Sequence, residues 1–399
     1  MKIQAPNTLS SESLILATCP KGVSPWLAQE MERLGYGANE LKAGVETEGT
    51  LFDCMLLNLR LSMAHRVFFR LAAFAAEEPD ALYKRARAIP WERYFSPDGY
   101  FTVSASIQTD VVNDSRYAGL LVKDAVVDRF REKTGRRPDS GGETTGASVF
   151  LFWRGTQAVI YIDTTGEPLS RRGYRKIPGK APMQETLAAA CLEASGWDGK
   201  GNVVNPMCGS GTLAIEAALR AIGRAPGLFR PYFSFMALAG FDEDGWGMLR
   251  DEARKCERAF AGKIVATDHD PRVLAGARKN AQAAGVEKLI DFSVCDYSET
   301  HVPPGDGLVI LNPEYGRRLG EEKELEPVYS GMGDFFKKQC SGYTGAVFTG
   351  NPSLAKKVGL KARRRIEFWN AKIDCRLLLY DLYAGTRRQP ARNGEKEDN

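Results

Sequence analysis

Asn312-Pro313-Glu314-Tyr315 delivers an amide, a proline carbonyl and an aromatic ring directly after the apolar run Gly307-Leu308-Val309-Ile310-Leu311. The run reads as a buried parallel strand, and open α/β sheets build their sites at the carboxyl ends of such strands. Asn312 Oδ1 and the Pro313 carbonyl can both accept hydrogen bonds from an NH2 group, while the Tyr315 ring can stack on a heterocycle. The tetrapeptide therefore suits a grip on a planar base through its exocyclic amine. By itself it also fits an Asx-Pro turn that merely closes a strand.

Three upstream loops bear on the choice. Asn205-Pro206-Met207-Cys208-Gly209-Ser210-Gly211-Thr212 separates a strand from a helix, where glycines let a ligand approach the backbone and helix N–H groups face outward. No Gly-Lys-Ser/Thr follows, which excludes a P-loop, and the next strand-end acid comes too late for a dinucleotide fingerprint. That acid, Asp268, ends Lys263-Ile264-Val265-Ala266-Thr267 and could accept both hydroxyls of a ribose, with Asp270 as the cap of a helix begun by Pro271. Asp296, after a third strand, could accept from an adenine amine or cap a short helix. One sheet edge would then carry a nucleoside-bearing cofactor across three loops and hold the reacting amine on the fourth.

The elements needed to position these loops are legible in outline. The chain has 399 residues, 43% hydrophobic and 26% charged, enough for two or three domains with real cores. Its net charge of +4 is too mild to imply an acidic partner, so such a partner must be argued from local patches. Eight scattered cysteines without C-x-x-C, and three histidines (His65, His269, His301) without ligand spacing, predict no metal site and no disulfide scaffold. No apolar stretch approaches the ~20 residues of a membrane span, and Met1-Lys2-Ile3-Gln4 opens no signal peptide. The expectation is a reduced, cytoplasmic, monomeric protein.

The first half reads as α+β: a strand over 13–18, a helix over 23–34, a long helix over 51–71 with Arg60, Arg66 and Arg70 on its solvated margin, a strand over 100–106, a helix over 117–133, and a hairpin of 148–153 with 158–162. From Val203 the order becomes strand, helix, strand, helix, which implies a parallel sheet between helices. Between the halves lies a basic, Gly/Pro-punctuated linker whose Arg171, Arg172, Arg175, Lys176 and Lys180 surround Tyr174, a pattern suited to phosphates. Lys356, Lys357, Lys361, Arg363, Arg364 and Arg365 are weaker candidates, since they also fit charge guarding an edge strand at Ile366-Glu367-Phe368-Trp369. The tail 386–399 is polar and predicts disorder.

With these motifs in place the chain resembles class I S-adenosylmethionine-dependent RNA methyltransferases, in particular the THUMP-containing bacterial RlmL-type family of guanine-N2 methyltransferases. The likeness rests on 205–212, Asp268-His269-Asp270-Pro271, Asn312-Pro313-Glu314-Tyr315-Gly316, and Arg172-Gly173-Tyr174-Arg175 leading to Gln184-Glu185-Thr186-Leu187-Ala188-Ala189. Upstream, 17–22, 113–115 and 122–128 are similar to the family's N-terminal segments. The resemblance implies a C-terminal Rossmann-like methyltransferase sheet with helices on both faces, preceded by α+β ferredoxin-like and THUMP domains. It suggests a ferredoxin-like subdomain over 1–65, a THUMP domain over 66–165, a linker over 166–185 and the methyltransferase domain over 186–385. It implies S-adenosylmethionine at Asn205, Met207, Cys208, Gly209, Gly211, Thr212, Asp268 and Asp296, with Asn312, Pro313 and Tyr315 catalytic. The N-terminal half would dock RNA, ribosomal RNA before tRNA. Two positions depart from the pattern: Asn205 stands where Asp is usual and Glu314 where a second Pro is usual. Guanine-N2 methylation of 23S rRNA is thus the expected activity, with the same chemistry on tRNA, or an RNA-binding factor that has lost turnover, as alternatives.

Overall fold

The computed structural model describes residues 11–142, 145–179, 182–316 and 321–383. Lys180 and the tail 386–399 lie outside the described residues.

The first half contributes β1 (Ser13–Thr18), β2 (Asn39–Leu41), β3 (Gly44–Gly49), β4 (Arg66–Ala75), β5 (Tyr100–Gln108), β6 (Asp139–Ser140), β7 (Ala147–Arg154) and β8 (Gln157–Asp163), with α1 (Ser24–Arg33), α2 (Leu51–Arg60), α3 (Pro79–Ala88) and α4 (Ser115–Thr134). These strands form one sheet in the order β2-β3-β1-β4-β8-β7-β5-β6. The helix expected over 51–71 is corrected: α2 ends at Arg60, Leu61 is extended, and 66–75 is a strand that pairs antiparallel with both β1 and β8. Arg66-Val67-Phe68-Phe69-Arg70 is aromatic and β-branched, so a run ambiguous by periodicity resolves as a central strand once partners are available on both sides. Thr50 and Asp53 close the start of α2 as a reciprocal capping box.

The second half adds β9 (Asn202–Pro206), β10 (Ile264–Asp268), β11 (Ile290–Val294), β12 (Gly307–Leu311), β13 (Tyr343–Thr349), β14 (Arg364–Asn370) and β15 (Ile373–Asp381), with α5 (Glu185–Ala194), α6 (Thr212–Ile222), α7 (Glu243–Lys255), α8 (Pro271–Ala283), α9 (Glu321–Gln339) and α10 (Pro352–Lys357). The sheet order is β11-β10-β9-β12-β13-β15-β14, parallel through β13 and antiparallel for the last two strands. Alternate residues serve opposite faces. Val203, Ile264, Leu308 and Ile310 join the core beneath α5, α6 and α8, while Val204, Val265, Val309 and Leu311 join the core beneath α9. Burial of each such side chain contributes about 1.5–3 kcal/mol. The first of these cores continues into the N-terminal half through Ile15, Leu57 and Leu59. At the far end of the second sheet, β14 is covered by the first half: a Cβ on Gly22 would stand 2.4 Å from the Glu367 carbonyl oxygen, and Lys21 Nζ sits 3.7 Å over the Trp369 ring.

Candidate active site

Strand order reverses between β9 and β12, which are neighbours although sequence places them first and fourth in the second sheet. Their register pairs Asn202 with Gly307, Val203 with Leu308 and Val204 with Val309, so the loops that follow the two strands leave the same edge of the sheet. Neighbouring strands run about 5 Å apart. The glycine turn and the Asn312 loop thus follow neighbouring strands at the switch point, where such sheets open a crevice.

The glycine turn is conformationally demanding. Met207 has φ +55°, Gly209 +56° and Gly211 +82°. Left-handed backbone at a methionine is costly and concentrates at functional sites. A Cβ on Gly209 would meet no atom within 4 Å, so open space faces this backbone, whereas one on Gly211 would lie 3.0 Å from Ala277 Cβ. Gly209 keeps room for a ligand; Gly211 keeps room for α8. The Gly209 amide donates to Asp268 Oδ2 at 3.0 Å, tying the first loop to the second, while Asp268 Oδ1 accepts from the Asp270 amide. Asp270 caps α8.

Asn205 is fully buried and donates through Nδ2 to the Ile310 carbonyl at 2.8 Å, across to β12. Its Oδ1 is buried without a hydrogen-bond partner. Cys208 is buried, and burial together with the nearby Asp268 charge pushes its thiol far above the usual range, so it is no nucleophile. Thr212 Oγ1 accepts from Arg175 Nη2 at 3.1 Å. Asp296 is exposed and caps a short helical turn through the Ser298 amide, leaving its second oxygen available.

On the fourth loop, Asn312 and Tyr315 are half-buried and Pro313 is buried. The Tyr315 hydroxyl donates to Asn312 Oδ1 at 2.9 Å, and its ring stands edge-on to Phe348 with centroids 6.4 Å apart. The ring expected to stack on a base thus has one edge packed against the core, and its hydroxyl meets Asn312. Burial raises its phenol far above the usual range, so the group stays a donor.

The basic linker needs a larger correction. Arg172 and Tyr174 are 1% and 2% exposed. Both bind Glu216 of α6: Arg172 through Nε at 2.8 Å and Nη2 at 2.9 Å, Tyr174 through its hydroxyl at 2.8 Å. Arg172 Nη2 also donates to the Ser62 carbonyl of the first half. These two residues pin the halves together and are not available to RNA; two charges placed next to each other in sequence gave no hint that one would turn inward. Arg175 is likewise drawn in by Glu185, the Met183 carbonyl and Thr212. Arg171, paired with Glu167, and Lys176 remain exposed. The linker also crosses the glycine turn: Asn280 of α8 accepts from the Lys176 and Ile177 amides and donates to the Ile177 and Ser210 carbonyls. Sequence reasoning missed Asn280, although a polar residue on the apolar Leu274-Ala277-Ala281 stripe of α8 was a readable signal. It missed Glu216 for the opposite reason, since an acid on a helix is ordinarily solvated.

Among the described residues no group of three or more His, Cys, Asp or Glu could hold a metal ion, and no helix is long and apolar enough to cross a membrane.

A sheet in this order, with its demanding glycine turn and the Asn312 loop at the switch, defines a class I methyltransferase fold. Residues 172–378 match the family described as RMKL-like, methyltransferase domain, while 14–68 match the RlmL ferredoxin-like domain and 76–163 the THUMP domain. The chain is 34% identical over 92% of its length to "Putative RNA methyltransferase slr0064" of Synechocystis sp., covering 96% of that protein. It is 40% identical over 92% of its length to ribosomal RNA large subunit methyltransferase K/L of Syntrophotalea carbinolica, of which it covers 53%. The chain thus spans about half the length of the K/L relatives it matches. Among solved structures, SMU.472, "a putative methyltransferase complexed with SAH", superposes with a TM-score of 0.85 at 26% identity, over 95% of this chain and 99% of that one. The chain belongs to the RMKL-like methyltransferase family, joined to ferredoxin-like and THUMP domains.

Proposed function

We propose that this chain transfers a methyl group from S-adenosylmethionine to the exocyclic N2 of a guanine in large-subunit ribosomal RNA. The observation that supports the reading is that the glycine turn and the Asn312-Pro313 loop follow β9 and β12, parallel neighbours at the switch point of the sheet. The names of the K/L relatives and the THUMP match support RNA as the substrate class.

The residues fit the cofactor. Open space at Gly209 admits a ligand to the backbone, and Asp268 carries carboxylate lone pairs for ribose hydroxyls. Asn205 lacks the charge of the usual Asp, yet with Nδ2 engaged on Ile310 its acceptor is held in place. The bound cofactor supplies an activated sulfonium methyl, so the protein's task is orientation and slight electronic tuning.

Guanine N2 is a poor nucleophile because its lone pair is delocalised into the ring. Hydrogen bonds from the amine to Asn312 Oδ1 and the Pro313 carbonyl favour a more tetrahedral nitrogen and localise that lone pair. The interaction strengthens toward the transition state, as catalysis requires. An amide oxygen has two acceptor positions, so the Tyr315 hydroxyl can hold Asn312 in orientation and leave one position for the amine. The alkylated amine is acidic and loses its proton to solvent; neither Cys208 nor Tyr315 is needed as a base.

Incubation of unmodified 23S rRNA and tRNA with methyl-labelled cofactor, followed by nucleoside analysis, tests the reading. N2-methylguanosine in 23S rRNA is expected. Label in tRNA alone would move the substrate, and cofactor binding without transfer to either RNA would leave an RNA-binding factor.

A further inference from the structure

Glu314 is the residue of the fourth loop that most weakens the case for an ordered site, because it stands where a ring would fix the backbone. The loop is nevertheless held. Its Glu314 carbonyl accepts from the Tyr329 hydroxyl at 3.0 Å, and its Tyr315 carbonyl accepts from Asn351 Nδ2 at 3.0 Å. Tyr329, on α9, is 0% exposed, and its oxygen lies 2.8 Å from Thr349 Oγ1 at the end of β13. Thr349 Oγ1 also accepts from the Asn351 amide at 3.1 Å, while Asn351 Oδ1 caps α10 through the Ser353 and Leu354 amides.

Proton counting gives the chain one direction. Tyrosine has a single hydroxyl proton, and it is on the Glu314 carbonyl; Thr349 must then donate to the tyrosine oxygen, which leaves Thr349 free to accept from Asn351. Each buried donor is satisfied only while the 314 and 315 carbonyls point into this chain. Turning the peptide at 314 would break the bond from the Tyr329 hydroxyl and make the Tyr329–Thr349 bond reverse, leaving the buried Thr349 proton without this acceptor, a costly state. Beside it, a Cβ on Gly350 would stand 3.0 Å from Tyr315 Cδ2, so the bare backbone there sets the depth of the Tyr315 ring.

We propose that Tyr329, Thr349 and Asn351 are positioning residues for the amine-accepting loop: by fixing the carbonyls of 314 and 315 inward they hold Asn312 Oδ1 and the Pro313 carbonyl toward the substrate, replacing the rigidity of an absent proline. The role rests on the reading of Asn312-Pro313 as the amine grip, and it predicts a specific rescue.

The test uses the full chain with 23S rRNA. Tyr329→Phe keeps the ring and removes the donor; it should lower kcat about tenfold with cofactor affinity unchanged. Thr349→Val, which leaves Tyr329 but removes its donor, should lower kcat by a smaller factor. Adding Glu314→Pro to Tyr329→Phe should restore most of the loss, whereas Glu314→Pro alone should change kcat by a smaller factor. An unaffected kcat in Tyr329→Phe, a matching loss of cofactor affinity, or absence of rescue by proline would each overturn the proposal. Hydrogen exchange over residues 312–316 reads the same device without chemistry: exchange should quicken in Tyr329→Phe and slow again in the double variant. If the wild-type chain methylates no RNA, the proposed function falls, and the exchange measurement still decides the positioning role.

Discussion

Asn312 and Asp268 sit on loops of the same sheet edge, and the proposed reaction gives them separate duties that are measurable. Asn312→Ala removes an acceptor that strengthens toward the transition state, so kcat should fall by about 10²–10³, the scale of losing one preorganised group, with cofactor affinity unchanged in calorimetry. Asp268→Ala should do the reverse, weakening cofactor binding at least about tenfold, the worth of a charge-assisted hydrogen bond, with a smaller effect on kcat at saturating cofactor. Equal loss of cofactor binding in both would break the assignment. The pH profile offers a third check. Burial raises both Cys208 and Tyr315, so each stays protonated well above neutrality and neither can generate a rising limb as a base. Saturated kcat should be flat between about pH 7.5 and about pH 9, where an ordinary thiol would titrate.

At the scale of elements, the two glycines of the turn differ in what they protect. Among the described residues Gly209→Ala meets no neighbour, so its cost is the left-handed backbone alone, about 1–2 kcal/mol, while the added methyl would enter the space proposed for the cofactor. A modest fall in melting temperature with a large loss of cofactor affinity is expected. Gly211→Ala carries the same backbone cost plus contact with Ala277 at 3.0 Å, and should lose more stability. Thermal melts with calorimetry separate the two, and a larger destabilisation at 209 would reverse the reading. Of the second sheet, β10 and β12 were legible because parallel strands buried on both faces are near-continuous apolar runs, as in Ile264–Asp268 and Gly307–Leu311, whereas β13 and β15 were missed. The run 51–71 was not, since both a helix and a strand can carry apolar residues so densely; only pairing with β1 and β8 decides it.

Across the whole molecule, the linker acts as a fastener more than as an RNA contact. Arg172→Ala leaves Glu216 buried with, among the described residues, only the Tyr174 hydroxyl as hydrogen-bond partner, and breaking such a pair costs about 3–5 kcal/mol. The variant should melt far lower, or fail to fold, with no signature in the salt dependence of RNA binding. Arg171→Ala and Lys176→Ala should melt like the wild type and each lower the salt slope of RNA binding by about one. A normally stable Arg172→Ala with a reduced slope would contradict the buried assignment.

Residue order alone was enough to place the strand ends of β9, β10 and β12 and the turns, acid and amide that follow them, because these are neighbours along the chain and carry their local signals with them. It could not say which basic residues turn inward. Arg172 finds Glu216 across 44 positions, and Asn280 finds Ile177 across 103. Such partners are set by how helices pack on the sheet, and a pattern of period two or 3.6 says which face a residue shares with its neighbours but not what will cover that face.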